Sequence, residues 1–349
     1  MEKILKEIVD RTCQLMKYVT IKENYDEFYK AFELVKEELK NYQIQEIIVG
    51  KYPNLVISNT TSHELDLIFC GHMDVVPNES YEAIIEGNII KGRGSFDMKS
   101  QLSVIISLLK HNVSKKKVAF IITSDEELGG ECCKEILKDY TANLAVIPDA
   151  GKNFQLITDE KGLLQVEIKV YGKGAHASSP FSGENAILKA MNIYEQLLKL
   201  YPMPKSEEDF ITSINLSKLH GGETNNKVCD CATMFLDIRF TKETSREKLL
   251  QDIQNVMGNS ELKVIDYGPM FTMNPDIKEI QKFRNDSQKI LGRKVELSKC
   301  LATSDAIYFS EKDIPCILIN PKGDFWHHPN EYMEIDSLYT LYLLFKTLI

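Results

Sequence analysis

Apolar positions recur at three- and four-residue spacing through the first 40 residues, the period of two amphipathic helices. The spacing then changes. Apolar runs at 44–49, 53–58 and 65–70 are too short for helices and predict strands. After Asp97, S-Q-L-S-V-I-I-S-L-L-K-H predicts a helix and K-V-A-F-I-I-T-S at 117–124 an apolar strand. C-C-K-E-I-L-K-D-Y predicts a helix and N-L-A-V-I-P at 143–148 another buried strand. Strands alternating with helices predict an α/β fold, a mostly parallel sheet with helices on both faces.

From about residue 163 the pattern is different. L-L-Q-V-E-I-K-V-Y alternates apolar and polar residues, as a half-exposed strand does. A helix at 185–200, strands around 211–219 and 231–240, a helix at 243–257 and a strand at 262–267 complete a β-α-β-β-α-β order. That order is a two-layer α+β unit of its own. The expected organisation is therefore one domain made of 1–162 and 271–349, with 163–270 inserted. The first pattern resumes with a helix near 275–291, a strand at 316–320 and a closing helix at 335–348.

Ligands of open α/β sheets lie beyond the carboxyl ends of the strands, so the residues that follow each apolar strand matter most. His72 and Asp74 follow 65–70, Asp125, Glu126 and Glu127 follow 117–124, and Asp149 follows 143–148. His327 and His328 come after 316–320, and the loop G-R-G-S-F-D-M-K adds Asp97 at the start of a helix. Each has an ordinary alternative. Asp97 could cap a helix, Asp125-Glu126-Glu127 could be an acidic first turn, and Asp149 could serve a turn. Their recurrence at one structural position favours a shared site. Histidines and carboxylates without cysteine suit zinc, cobalt or manganese. Two such centres with one carboxylate between them would be a two-metal hydrolytic site. In the adjacent pair Glu126-Glu127, one carboxylate could bind metal while the other takes a proton from water.

Composition narrows the partners. The 349 residues are 43% hydrophobic and 27% charged, with a net charge of −9. An acidic balance argues against a nucleic-acid partner, and no apolar run is long enough to span a membrane. The amphipathic start lacks the apolar core of a secretory signal. The eight cysteines form no C-x-x-C pair and read as buried thiols. The expected compartment is the cytoplasm.

The motifs G-H-M-D-V-V-P, G-R-G-S-F-D-M-K, S-D-E-E-L-G-G, P-D-A-G, G-A-H-A-S-S-P-F-S-G-E-N-A and H-H-P-N-E-Y occur in this order. With them the chain resembles the co-catalytic metallopeptidase family of acetylornithine deacetylase, succinyl-diaminopimelate desuccinylase, glutamate carboxypeptidase and aminoacylase. The resemblance implies two divalent ions, zinc foremost, with cobalt or manganese as alternatives. It implies that His72, Asp97 and Asp149 hold one ion and Asp97, Glu127 and His327 the other, with Asp97 bridging through a cis Asp97–Met98 peptide. His327 is preferred to His328 by its spacing to Glu331. Asp74 would orient His72, and Glu126 would be the general base. The inserted domain would be a lid and dimerisation domain. Its His176 would reach the partner subunit of a homodimer and steady the oxyanion, while Asn226 and Arg239 would hold the substrate's carboxylate. Ser100, Cys229 and Ile307 depart from the family pattern and bear on specificity.

The implied function is removal of an acyl group from a small N-acyl amino acid. A dipeptidase or carboxypeptidase, or a succinyl-diaminopimelate desuccinylase, would use the same site on a short peptide or a succinylated substrate. A catalytically silent binding homologue should lack Glu126 or a metal ligand, and this chain has them all.

Overall fold

The apolar runs form the centre of a mixed sheet. The computed structural model describes residues 2–206 and 208–349. In hydrogen-bonded order the sheet runs Gln43–Val49, Tyr52–Ser58, Val118–Thr123, Leu67–His72, Ala145–Ile147, Cys316–Ile319 and Leu156–Glu160. The strands from Val118–Thr123 to Cys316–Ile319 are mutually parallel, and Tyr52–Ser58 and Leu156–Glu160 join them antiparallel. Leu67–His72 and Val118–Thr123 are buried at every position, which requires cover on both faces, the condition under which parallel strands occur. Gln43–Val49 alternates between exposed and half-buried positions and lies at the edge.

The helix Lys99–His111 is buried from Lys99 to Leu109, as a helix enclosed on all sides must be. It packs against Glu2–Met16, Ile335–Lys346 and the strand Leu67–His72. Gly71 permits that approach. A Cβ there would sit 2.6 Å from Met98 Cε and 2.8 Å from Leu102 Cδ2. The buried Lys99 ammonium donates to Leu15 O at 3.1 Å and Tyr18 O at 2.7 Å. It thereby satisfies carbonyls at the C-terminal end of the first helix, where a cation is favoured.

By contacts the chain divides into two units: Met1–Asp159 with Thr272–Cys300 and Ser304–Ile349, and Glu160–Phe271 with Leu301–Thr303. The second unit has an antiparallel sheet in the order Ser213–Gly221, Cys231–Phe240, Gly162–Tyr171, Glu261–Gly268. Gly162–Tyr171 and Cys231–Phe240 alternate in burial. Their inward faces form a core with Ala190, Ile193 and Leu197 of the helix Ala186–Leu200 and Leu249 and Ile253 of the helix Arg246–Met257. Asn185 caps the first of these helices by accepting from Ile187 and Leu188 N–H, and Ser245 caps the second by accepting from Lys248 N–H.

Several short elements have no counterpart in the sequence reading. Ile84–Glu86, Ile89–Lys91, Gly323–Asp324 and Tyr332–Glu334 form a small sheet of their own. With two or three residues each, they are too short to carry a period. The eight cysteines are thiols rather than disulfides. Among the described residues no helix is long and apolar enough to cross a membrane.

Candidate metal centre

His72 is the last residue of its strand and lies opposite Thr123 of the parallel neighbour. The chain leaves Thr123 into a 3-10 turn, Glu126–Leu128, and Asp149 stands two residues past Ala145–Ile147. Parallel strands end on one rim, so these residues converge although the sequence separates them. Asp97 arrives from the loop before Lys99–His111. Met98 rather than Asp97 occupies the cap position of that helix, and the Asp97–Met98 peptide is cis. His327 arrives from the loop between Gly323–Asp324 and Tyr332–Glu334, where its own backbone is left-handed, φ 61°.

Asp97 faces both imidazoles. Its Oδ1 lies 3.0 Å from His72 Nε2 and its Oδ2 3.3 Å from His327 Nε2. His72 Nε2 is also 3.5 Å from Asp149 Oδ1, and His327 Nε2 is 2.9 Å from Glu127 Oε2. Two groups result whose ligand atoms lie within 4.8 Å of one another: Asp97, Glu127 and His327, and His72, Glu126 and Asp149. Glu126 thus stands among the ligand atoms of the second group. His328 belongs to neither group, and its Nδ1 accepts from Asn330 N–H.

The site is electrostatically crowded. Burial and the charge of Asp149 push Glu126 well above the usual carboxylate range. Burial and the charge of Asp97 raise Glu127. Burial lifts Asp149 to about 6 against the pull of His72. Hydrogen bonds that His327 donates to the Asp97 and Glu127 carboxylates hold it up at about 10. His72 is raised by Asp149, Asp74 and Asp97 in spite of its burial. Its buried Nε2 faces Asp97 and Asp149 without a well-aligned hydrogen bond to either. Imidazole nitrogens crowded by carboxylate oxygens in two adjacent groups fit a pair of divalent cations, with nitrogen and oxygen donors of the kind zinc takes.

Asp74 faces His72 with both its backbone carbonyl and its carboxylate. The 2.9 Å contact of His72 Nδ1 is with the backbone carbonyl of Asp74, and the carboxylate is 3.5 Å away. The carboxylate also accepts the N–H groups of Glu126 at 3.3 Å and Glu127 at 3.0 Å, anchoring the turn that carries both. Three other buried groups, Cys70, Cys133 and Asp305, come together in space though far apart in sequence. Asp305 accepts from the Thr123 hydroxyl at 3.0 Å.

In the second unit His176 is exposed, and Ser178 N–H donates to its Nδ1 at 3.2 Å. The same Nδ1 lies 2.8 Å from the Ser178 hydroxyl oxygen. Asn226 is beside it, with its carbonyl accepting from Ala177 N–H at 2.9 Å. Arg239 is elsewhere. It pairs with Leu163, near the other end of the 10-residue strand Cys231–Phe240, a length of roughly 30 Å. Asn226 and Arg239 therefore do not converge within one chain. The guanidinium bonds Asp237 Oδ1 at 2.8 Å and Thr303 Oγ1 at 3.3 Å. Thr303 in turn donates to the carbonyl of Lys161 at 2.8 Å. Lys161, nearly fully buried, is lowered by burial and by the charge of Arg239. The sequence reading missed Lys161, whose only signal is a lysine just ahead of an alternating strand.

The model of the family described as Peptidase family M20/M25/M40 matches residues 68–349. A LysW-lysine/LysW-ornithine hydrolase of Sulfurisphaera tokodaii is 25% identical over 292 residues, 82% of this chain and 82% of that protein. A succinyl-diaminopimelate desuccinylase of Nitratiruptor sp. is 24% identical over 340 residues, 91% of this chain and 93% of that protein. Among solved structures, a tripeptidase from Staphylococcus aureus matches with a TM-score of 0.84 at 22% identity, covering 99% of this chain and 97% of that one.

The raised imidazoles generate a prediction. A coordinating histidine must be neutral, so zinc uptake near pH 7 should expel protons from His72 and His327. Calorimetric titration of the apoprotein in two buffers of different ionisation enthalpy should show at least about one proton released per chain, with affinity falling as the pH falls. Binding heats independent of the buffer would contradict the assignment.

Proposed function

Because the chain belongs to peptidase family M20/M25/M40 and is a metallohydrolase of amide bonds, we propose that it removes the acyl group from an N-acyl amino acid, in the manner of an acetylornithine deacetylase. The observation that carries this reading is Asp97, whose two oxygens face the two imidazoles. The first unit is the catalytic domain in this proposal, and the second is a lid and dimerisation domain.

His72, Asp97 and Asp149 would hold one ion and Asp97, Glu127 and His327 the other. Zinc suits the donors best, with cobalt or manganese as substitutes. When bound, the two ions supply Lewis acidity toward the amide carbonyl and lower the pKa of water. Glu126, beside them on the turn that Asp74 anchors, accepts the water's proton and returns it to the departing amine. His176 Nε2–H donates to the carbonyl oxygen as it gains charge.

Arg239, Lys161 and Thr303 give the proposal its substrate polarity. Asp237 offsets one charge of the pair, and the remaining positive charge, with Lys161 buried beside Arg239, favours an anion. A planar guanidinium matches a carboxylate with two parallel hydrogen bonds. The same pair would accept the distal carboxylate of a succinyl group, and this observation keeps the desuccinylase as a second reading. We further propose a homodimer formed through the second unit. Among the described residues its edge strand Ser213–Gly221 is unpaired on one side, and Leu188, Met191 and the neighbouring Phe181 expose large apolar side chains. Such a face fits a protein partner. His176 and Asn226 of one subunit would then serve the other's metals.

Hydrolysis of N-acetyl, N-succinyl and dipeptide substrates should vanish on chelation and return with zinc or cobalt. Glu126→Gln should keep both ions, by elemental analysis, yet lower turnover by at least about a hundredfold. Near-normal turnover would remove Glu126 from the mechanism, and loss of an ion would make it a ligand.

Amidating the substrate's carboxylate should reduce kcat/KM by a charge-assisted contact of about 1.5–3 kcal/mol. Arg239→Lys and Lys161→Met should weaken the free acid similarly while scarcely changing the amide. Equal cleavage of acid and amide by the wild type would overturn the clamp.

Glu126→Gln and His176→Ala subunits, each inactive alone, should regain activity on mixing. With random pairing, about a quarter of sites carry both intact residues. Subunit exchange proven by labelling, without recovered activity, would confine His176 to its own subunit or remove it from catalysis.

A further inference from the structure

The side chain of Glu331 is fully buried, yet it belongs to neither ligand group. Four donors converge on its two oxygens. Oε2 accepts from the buried guanidinium of Arg93 and from Gly94 N–H at 3.1 Å. Oε1 accepts from Phe96 N–H at 2.8 Å and from Asp97 N–H at 3.0 Å. The backbone repeats the connection, with Gly92 N–H donating to Glu331 O at 3.0 Å. Immediately afterwards Tyr332–Glu334 pairs antiparallel with Ile89–Lys91.

Glu331 stands four residues beyond His327, at the end of the loop that presents that imidazole. One side chain therefore fastens the Asp97 loop to the His327 loop, and one of the amides it grips is that of Asp97 itself. The Asp97 loop is held otherwise by a turn bond from Ser95 N–H to Gly92 O at 3.1 Å, by Gln101, which donates to the Phe96 carbonyl, and by the buried Phe96 ring stacked on Trp326. It contains Gly94 at φ +81° and forms no strand between Lys91 and Lys99. Without an acceptor its buried N–H groups would be unsatisfied, and the loop would move to find one. Hydrogen bonds to an ionised acceptor are the stronger kind. Their direction fixes the backbone from which the Asp97 carboxylate extends to both imidazoles.

We propose that Glu331 is a positioning residue for the metal centre: by clamping the Asp97 loop against the His327 loop it sets the affinity for the ion that Asp97, Glu127 and His327 share. The proposal rests on the dinuclear reading above. A glutamine fills the same volume but offers one acceptor oxygen and an NH2 group. That NH2 must face at least one of the four converging donors, so part of the clamp is lost.

The test compares metal binding by folded apoproteins, with thermal stability measured in parallel. Zinc and cobalt titrations would be followed by calorimetry and by the cobalt absorption spectrum. Wild type should take two ions per chain. Glu331→Gln should bind one of them about 10–100-fold more weakly, the range for loss of a group that orients a ligand. Its cobalt spectrum should change at full loading, and activity should return when metal is raised. Leu109→Ala is the stability control, buried and roughly 15 Å along its helix from Lys99. It should melt earlier yet bind both ions as wild type does. Should Glu331→Gln not fold, Glu331→Asp keeps the charge on a shorter arm and should weaken the same ion. Wild-type affinity for both ions in whichever Glu331 variant folds would overturn the proposal and leave the dinuclear reading intact. Fewer than two ions in the wild type would overturn that reading, and the proposal with it.

Discussion

Like charges brought to one rim are the constraint on which the first unit depends. Parallel strands must end together, and here they end in Glu126, Glu127 and Asp149, with Asp97 brought in from a loop. Burial raises the carboxyls of Glu126, Glu127 and Asp149, while the imidazoles of His72 and His327 are held above their ordinary range. Those shifts are two expressions of one field. The carboxylates resist ionisation beside each other, and the histidines hold protons to neutralise them. Divalent cations satisfy the same demand with more charge and without the protons. The cluster therefore makes physical sense as a cation site and is costly as anything else, because a buried uncompensated charge is expensive.

Side chains alone do not hold such a cluster in shape. Asp74 and Glu331 are buried carboxylates that accept backbone N–H groups from the residues carrying the reactive side chains: Glu126 and Glu127 for the first, Asp97 for the second. A hydrogen bond to a charged group contributes about 1.5–3 kcal/mol, and each of these anchors has more than one. Fixing the backbone defines where a functional carboxylate starts and leaves its own oxygens free for a ligand. The arrangement also explains why the fold tolerates short, aperiodic loops at its most demanding position. Their paths are set by acceptors that the core holds rigidly, rather than by regular secondary structure.

Much of this was legible in the sequence because strand burial and strand exit are local signals. Leu67–His72 and Val118–Thr123 are continuous apolar runs, and the titratable residues follow them within a few positions. The β-α-β-β-α-β order of the second unit was equally visible, since its strands are long enough to alternate. The two-residue strands that tie the Asp97 and His327 loops together were not, because two residues have no period. The anchoring duties of Asp74 and Glu331 were hidden for another reason. Their partners are backbone amides, which every sequence has, at separations of 52 and 234 residues for the bonds to Glu126 and Asp97. Lys161 was invisible because its meaning comes from Arg239 and Thr303, which only the folded unit brings to it.

The sheet of the second unit places its own limit on how a site can be assembled. His176 and Asn226 are joined through the bond from Ala177 N–H to the Asn226 carbonyl, and both lie beyond the strand end marked by Tyr171 and Cys231. Arg239, Lys161 and Thr303 gather at the opposite end. An antiparallel strand of ten residues is rigid and roughly 30 Å long, far longer than an acyl amino acid. No bending within this unit brings both ends to one small substrate. If both ends contact substrate, they contact different substrate molecules or belong to different subunits. The proposed homodimer would resolve the conflict, with His176 of one subunit serving the other's site and the arrangement repeated in reverse. In this chain the case for shared sites follows from the length of a strand.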